Sequence, residues 1–330
     1  MKILRKLKYL FLLILIAALA IGIWYLRNDE DETAAPPEDY VWNTTLEQEY
    51  IEFNGEKYIK NSKVETILLG GVDNDGKIDL SGGNGSGGQA DVLLLLVINN
   101  ETKTIDKIQI DRDTMTQFTV LNENYLAEGT QTAQIALSHA YGNGGSISCN
   151  NTVSAVENLL YGIDIDKYLF LNMGAIPTLN DFFGGVEVRI EDDFSAVDPT
   201  LVRWRRIKLN GTQAYNYIRA RKEMNEPTNR NRLERIGNYM DGLTELIRTS
   251  ISEGGVSAYT LYNELYDYMA TSLAASEMTA LVIETADYEM NETLIPEGTF
   301  NEESELEEFY MDDAALKQLV IDLFYIPYVQ

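Results

Sequence analysis

Arginine is unevenly placed in this chain. Ten basic residues lie between Arg203 and Arg235, opposed only by Glu223, Glu226 and Glu234, in a 330-residue sequence whose 26 basic and 52 acidic residues give a formal charge of −26. A guanidinium fork binds phosphate bidentately and stays charged at any physiological pH, so a basic window inside an acidic protein is a candidate anion site. A solvated helix face neutralised by surrounding acids would give the same charge count, and charge alone leaves both readings open. Arg219 and Arg221, in YIRAR, stand two apart and reach one pocket only from the end of a helix. Arg232 and Arg235, in NRNRLERI, stand three apart and share a helical face. Two such helices could aim four guanidinium groups at one phosphate pair, more than a single carboxylate ligand requires.

Carboxylates recur at the ends of apolar runs. Asp73 follows ETILLGGV, Asp91 precedes VLLLLVIN, and Asp111 and Asp113 flank Arg112 after TIDKIQI. Such a set suits a hard divalent cation such as Mg²⁺, which is typically shared between one or two carboxylates and substrate phosphates, although any one of them alone reads as a turn residue. The glycine-rich SGGNGSGG at Ser81–Gly88 leads into a strand instead of opening a helix, so it reads as a loop beside the site and not as a phosphate cradle. Cys149 and His139 are the only residues of their kinds, which excludes an intramolecular disulfide and a zinc site built from His and Cys, and their spacing marks no catalytic pair. The acidic balance excludes nucleic acid as a main partner, because a phosphate backbone would be repelled.

The elements that must position these groups alternate in type. Residues 65–69, 92–99 and 104–110 read as strands, and the second is too continuously apolar to have a wet face, so both faces of its sheet must be covered. Shorter strand patterns at 168–171 and 186–190 interleave with helical patterns at 130–141, 151–161, 174–183, 212–221, 230–248 and 312–324. The fold class expected is α/β, a three-layer α/β/α sandwich on a central mixed sheet. Tyr50 begins the body through a hairpin signal at Asn54-Gly55, and one domain is expected over 50–330.

Residues 9–26 (YLFLLILIAALAIGIWYL) form an unbroken apolar run long enough to span most of a bilayer. Lys2, Arg5, Lys6 and Lys8 precede it and acids from Asp29 follow it, so the positive-inside rule leaves residues 1–8 in the cytoplasm and the body outside, on a single-pass membrane anchor. The acidic, proline-containing segment at 27–49 is expected to be an extended stalk.

Five ordered motifs resemble those of the LytR-CpsA-Psr family of membrane-anchored cell-wall enzymes: LLGGVD ending at Asp73, QAD ending at Asp91, DRDT at Asp111–Thr114, IRAR ending at Arg221, and NRNRLERI from Asn229 to Ile236. The likeness covers about 65–246, with NDFFGGVEV between the motifs similar to a further family element. It implies transfer of a phosphate-linked glycopolymer from a polyprenyl (undecaprenyl-type) pyrophosphate carrier to a peptidoglycan acceptor. It also implies Mg²⁺ on Asp73 and Asp91, and pyrophosphate contacts from Arg112, Arg219, Arg221 and Arg232 with Arg235 in support. Gln89, Asp113 and Asn229 would line the substrate site. Gln89, Asn229 and Ile236 depart from the family's Arg, Asp and Gln. Asn229 cannot accept a proton as a carboxylate does, so a base would have to be Asp111, Asp113 or Glu223. Without one, the chain would be a non-catalytic binder of polyprenyl-linked or wall polymers.

Overall fold

The computed structural model describes residues 50–220, 257–301 and 307–328, together with Arg235, Asn238, Tyr239, 241–243, Glu245, Leu246, Thr249 and Ser250, all helical in that last stretch. The expected cytoplasmic segment, anchor and stalk (1–8, 9–26, 27–49) lie outside the described residues, as do Arg221, Asn229 and Arg232. No helix among the described residues is long and apolar enough to cross a membrane.

The described chain begins with the hairpin of β1 (Ile51–Phe53) and β2 (Glu56–Lys60), turned by Asn54 and Gly55 at φ 51° and 82°, the left-handed values a tight hairpin turn demands. Then follow β3 (Val64–Val72), β4 (Ala90–Asn99), β5 (Thr104–Ile110), β6 (Met115–Leu121), β7 (Ala127–Gln134), α1 (Leu137–Ala140), α2 (Ser146–Leu159) and β8 (Lys167–Asn172). After these come α3 (Ala175–Phe182), β9 (Glu187–Arg189), β10 (Arg206–Lys208), α4 (Gly211–Arg219), α5 (Ala258–Leu265), β11 (Met269–Thr271) and α6 (Ala275–Glu284). The described chain closes with β12 (Glu289–Leu294), β13 (Gly298–Phe300), β14 (Phe309–Met311), α7 (Asp313–Phe324) and β15 (Tyr325–Pro327).

The central sheet is mixed, in the order β11-β8-β3-β4-β5-β12. Strands β3 and β8 run parallel, as do β5 and β12, while β4 is antiparallel to both of its neighbours. Alternation along β4 shows why its sequence is apolar throughout. Val92, Leu94, Leu96 and Ile98 pack with residues of α3, α4, α5 and α6 on one face. Leu93, Leu95 and Val97 pack with α2 and α7 on the other. The chain is therefore an α/β protein with a helical layer against each face of its sheet.

Two expectations are corrected. The helix expected over 130–141 is instead β7 followed by the short α1, because β7 pairs along its length with β6 and that partner outweighs the local periodicity. The strand at 186–190 narrows to β9, which joins β10 in a separate ribbon and not the central sheet.

Gly70 in β3 faces the ring of Phe170 on β8, and a Cβ there would overlap that ring. The same ring stacks on His139 at 5.3 Å. Gly70→Ala should therefore destabilise the fold by about 1–3 kcal/mol through overpacking. Chemical denaturation checks this, and an unchanged midpoint would show that the ring moves aside freely.

Candidate functional site

Because β3, β5 and β8 run in one direction and β4 in the other, the ends of the first three and the start of β4 share one edge of the sheet. Open α/β sheets bind ligands beyond the carboxyl ends of their strands. At this edge stand Asp73 after β3, Gln89 and Asp91 at the start of β4, and Asp111, Arg112 and Asp113 after β5. The backbone N–H of Asp73 donates to the carbonyl of Gln89 at 3.0 Å, which fastens the first two groups together.

Arg112 is the centre of one half of the site. Its Nη1 donates to Asp91 at 2.7 Å and its Nη2 to Gln89 at 2.7 Å. Its Nε lies 3.5 Å from Asp113, which is buried and accepts 2.6 Å from Gln134. Asp113, expected to line the substrate site, is therefore placed behind Arg112, where it orients the guanidinium. Gln89 holds the second guanidinium nitrogen with a neutral acceptor.

The other half is carried by α4. Asn210 caps this helix in a reciprocal capping box with Gln213, and the helix ends at Arg219, where Ala220 turns extended at ψ 125°. Termination there sends Arg219 toward the sheet edge. Its guanidinium bonds Asp75 and the hydroxyl of Tyr215, the latter at 2.9 Å, and stands 3.6 Å from Asp73. Asp75 and Tyr215 were absent from the sequence reading. The i,i+4 spacing of Tyr215 to Arg219 was a legible signal for the second, and nothing local marked the first. Burial, with the adjacent Asp75, pushes the Tyr215 phenol up to about 12.

Arg235 is not at the open face. It is 4% exposed, and its guanidinium bonds Asp192 at 2.6 Å, the carbonyl of Tyr217 at 3.1 Å and the carbonyl of Ala220. Its place is behind the C-terminus of α4, where a cation is favourable beside the helix carbonyls and holds the end that carries Arg219. His139 and Cys149, which spacing left unrelated, come within 3.9 Å in the core. Burial pushes the thiol up and the imidazole down to about 4, so the pair is neutral and lacks the thiolate that nucleophilic chemistry needs.

The sequence profile of the LytR-CpsA-Psr family matches residues 32–320. The polyisoprenyl-teichoic acid–peptidoglycan teichoic acid transferase TagU of Bacillus subtilis (strain 168) is 27% identical over 223 residues, 66% of this chain and 63% of that protein. TagU of Enterococcus faecalis is 28% identical over 232 residues, 68% of this chain and 67% of that protein. The aligned stretch thus spans about two thirds of the length of these relatives. The crystal structure of Bacillus subtilis TagV shares the fold, with a TM-score of 0.52 at 22% identity over 80% of this chain and 96% of that one.

Two outcomes follow from this geometry. Arg235→Ala strips a buried guanidinium from Asp192 and from the carbonyls of Tyr217 and Ala220 and should destabilise by about 3–5 kcal/mol. Arg219→Ala breaks half-exposed pairs and should change stability by under about 1 kcal/mol, and melting curves of both variants separate the roles. The second outcome concerns pH. His139, held neutral with a pKa of about 4, contributes stability that is lost as pH falls from 6.5, while burial pushes the Asp111 carboxyl from 3.8 up to about 6, an effect that restores stability as pH falls through 6. Asp111→Asn removes the second effect, so between pH 7 and 4 the variant should lose roughly 2 kcal/mol more than the parent. Urea midpoints across that range test it, and parallel curves would refute it.

Proposed function

The chain belongs to the LytR-CpsA-Psr family, and from that membership we propose that it transfers a phosphate-linked glycopolymer from a polyprenyl pyrophosphate carrier to peptidoglycan. The observation that carries this reading is the meeting of Arg112 and Arg219 with Asp73 and Asp91 at one sheet edge. In the reaction an acceptor hydroxyl oxygen bonds the sugar-side phosphorus, the bond from that phosphorus to the bridging oxygen breaks, and polyprenyl phosphate leaves with the electron pair. Such a transition state is stabilised by positioning and by cations aimed at its oxygens. Arg112 and Arg219 supply two, and Arg221 and Arg232 are proposed to add to them. Asp111, with its carboxyl near 6, is the described carboxylate at this edge best matched to accept the hydroxyl proton near neutral pH.

Asp73 and Asp91 fit Mg²⁺ by donor type: two partly exposed carboxylates, to be completed by phosphate oxygens and water. Each now faces a guanidinium, and a bound pyrophosphate would compete for those guanidiniums and release the carboxylates toward the ion. The ion would neutralise charge on the phosphates. Residues 9–26, as a single-pass anchor, would hold the extracellular body beside its lipid-borne donor.

Incubation with a polyprenyl pyrophosphate-linked sugar, Mg²⁺ and a peptidoglycan fragment should yield a joined product that disappears in excess chelator. Arg219→Ala should weaken donor binding about ten- to a hundredfold, with Arg203→Ala unchanged. Donor binding without product would favour a non-catalytic binder, and equal affinity in all three proteins would remove the anion site.

A further inference from the structure

Beside the anion site lies a second feature, built by the segment that follows β3. Asp73 and Asp75 turn toward Arg219, whereas the intervening Asn74 and the next residue Gly76 line a cavity of about 270 Å³ on the other side. Its far wall is the Ser81–Gly88 loop, packed on Gly144 so closely that a Cβ at Gly87 would come within 2.9 Å of it. Two glycine-rich segments have thus given up side chains to approach each other, and the function above uses neither.

The wall has a specific chemistry. Asn74 accepts from Gly76 N–H at 2.8 Å, Asn143 accepts from Gly145 N–H at 3.0 Å, and Asn172 donates to the Gly76 carbonyl at 2.9 Å. Each amide is pinned by one end to the backbone. The other ends, two NH₂ groups and one carbonyl, are left for a ligand, and Ser86 adds a hydroxyl. A lipid tail does not match this wall, where Ile78 is the aliphatic side chain. A phosphate does not match either, because Lys77 is already held by Asp267 at 2.7 Å while Asp79 places a carboxylate in the lining. Fixed amides of both polarities, without net positive charge, suit neighbouring hydroxyls that donate and accept together. The volume is below the ~300–1,000 Å³ of clefts that enclose drug-sized ligands, a size for one ring.

We infer that this cavity is a subsite for a single neutral sugar ring, placed by Asn74, Asn143 and Asn172 next to the phosphate site. The inference rests on the glycopolymer-transfer reading. The ring belongs either to the sugar joined to the pyrophosphate or to the acceptor, and one substitution distinguishes them. Asn143→Ser keeps an oxygen that can accept from the Gly145 N–H, removes the ligand-facing amide and adds no charge beside the phosphates, so its melting temperature should match the parent's.

The probes are sugar-free polyprenyl pyrophosphate, the same carrier bearing one sugar, and a soluble peptidoglycan fragment. Asn143→Ser should bind the sugar-free carrier as the parent does. It should bind either the sugar-bearing carrier or the peptidoglycan fragment about three- to tenfold more weakly, the loss expected for one neutral hydrogen bond, and whichever falls identifies the ring. Equal affinity for all three probes overturns the subsite and leaves the transfer reading standing. Uniform weakening of all three with a lowered melting temperature also overturns it, as a purely structural loop. A parent protein that binds neither carrier overturns the transfer reading and the subsite together.

Discussion

The middle of a strand covered by helices on both faces leaves no place for an unpaired charge, and the charges of this site gather at strand ends. Leu94 and Leu95 are both almost fully buried, one toward each helical layer, so neither face of the middle of β4 tolerates a carboxylate. The desolvation of an unpaired charge would exceed what a neighbouring leucine stabilises. Three acidic groups of the site follow from this exclusion: Asp73, Asp91 and Asp111 stand where the apolar runs begin or end. The mixed strand directions then gather these ends at one edge, and the site is assembled by topology before any ligand arrives.

Two kinds of arginine are needed at that edge, distinguished by burial. Arg112 and Arg219 are partly open and pair with carboxylates that an incoming anion could displace. Arg235 is closed, and its contacts to Asp192, Tyr217 and Ala220 hold the end of α4 in place. A half-exposed pair contributes little to stability and is easily exchanged, whereas removing one partner of a buried pair leaves a stranded charge. The same residue type is therefore open to exchange in one place and fixed in the other. Asp113 repeats the pattern on the acidic side, buried behind Arg112 while Asp91 meets it in front.

The strands that build the edge were legible because their apolar runs were unbroken, and β3, β4, β5 and β8 lie where the sequence pattern places them. The arginine window was legible as charge. Depth was not: Arg232 and Arg235 share a helical face by spacing, but nothing in NRNRLERI tells that Arg235 turns inward to Asp192. Nor did AEGTQTAQ announce a strand, since its strand character comes from β6, a partner supplied by the fold. His139 and Cys149 are ten residues apart in sequence and meet only because α1 and α2 fold against each other over Phe170. Asp75 escaped notice for the opposite reason, being so close to Asp73 that it reads as ordinary turn chemistry.

To bind the proposed pyrophosphate, this acidic protein would have to overcome its own field. At physiological ionic strength the screening length is about 8 Å, so the −26 formal charge of the chain weakens with distance while guanidiniums in contact with the phosphates do not. Attraction then operates at contact range only. Long-range steering, which lets basic clefts collect anions from solution, is unavailable to such a surface. A donor confined to a membrane and a body proposed to be anchored in the same membrane remove the need for it, because the search is reduced from a volume to a surface. On the proposed reading the acidic exterior would repel soluble phosphates that compete for Arg112 and Arg219, and the local arginines would accept the anion that a membrane anchor brings within reach.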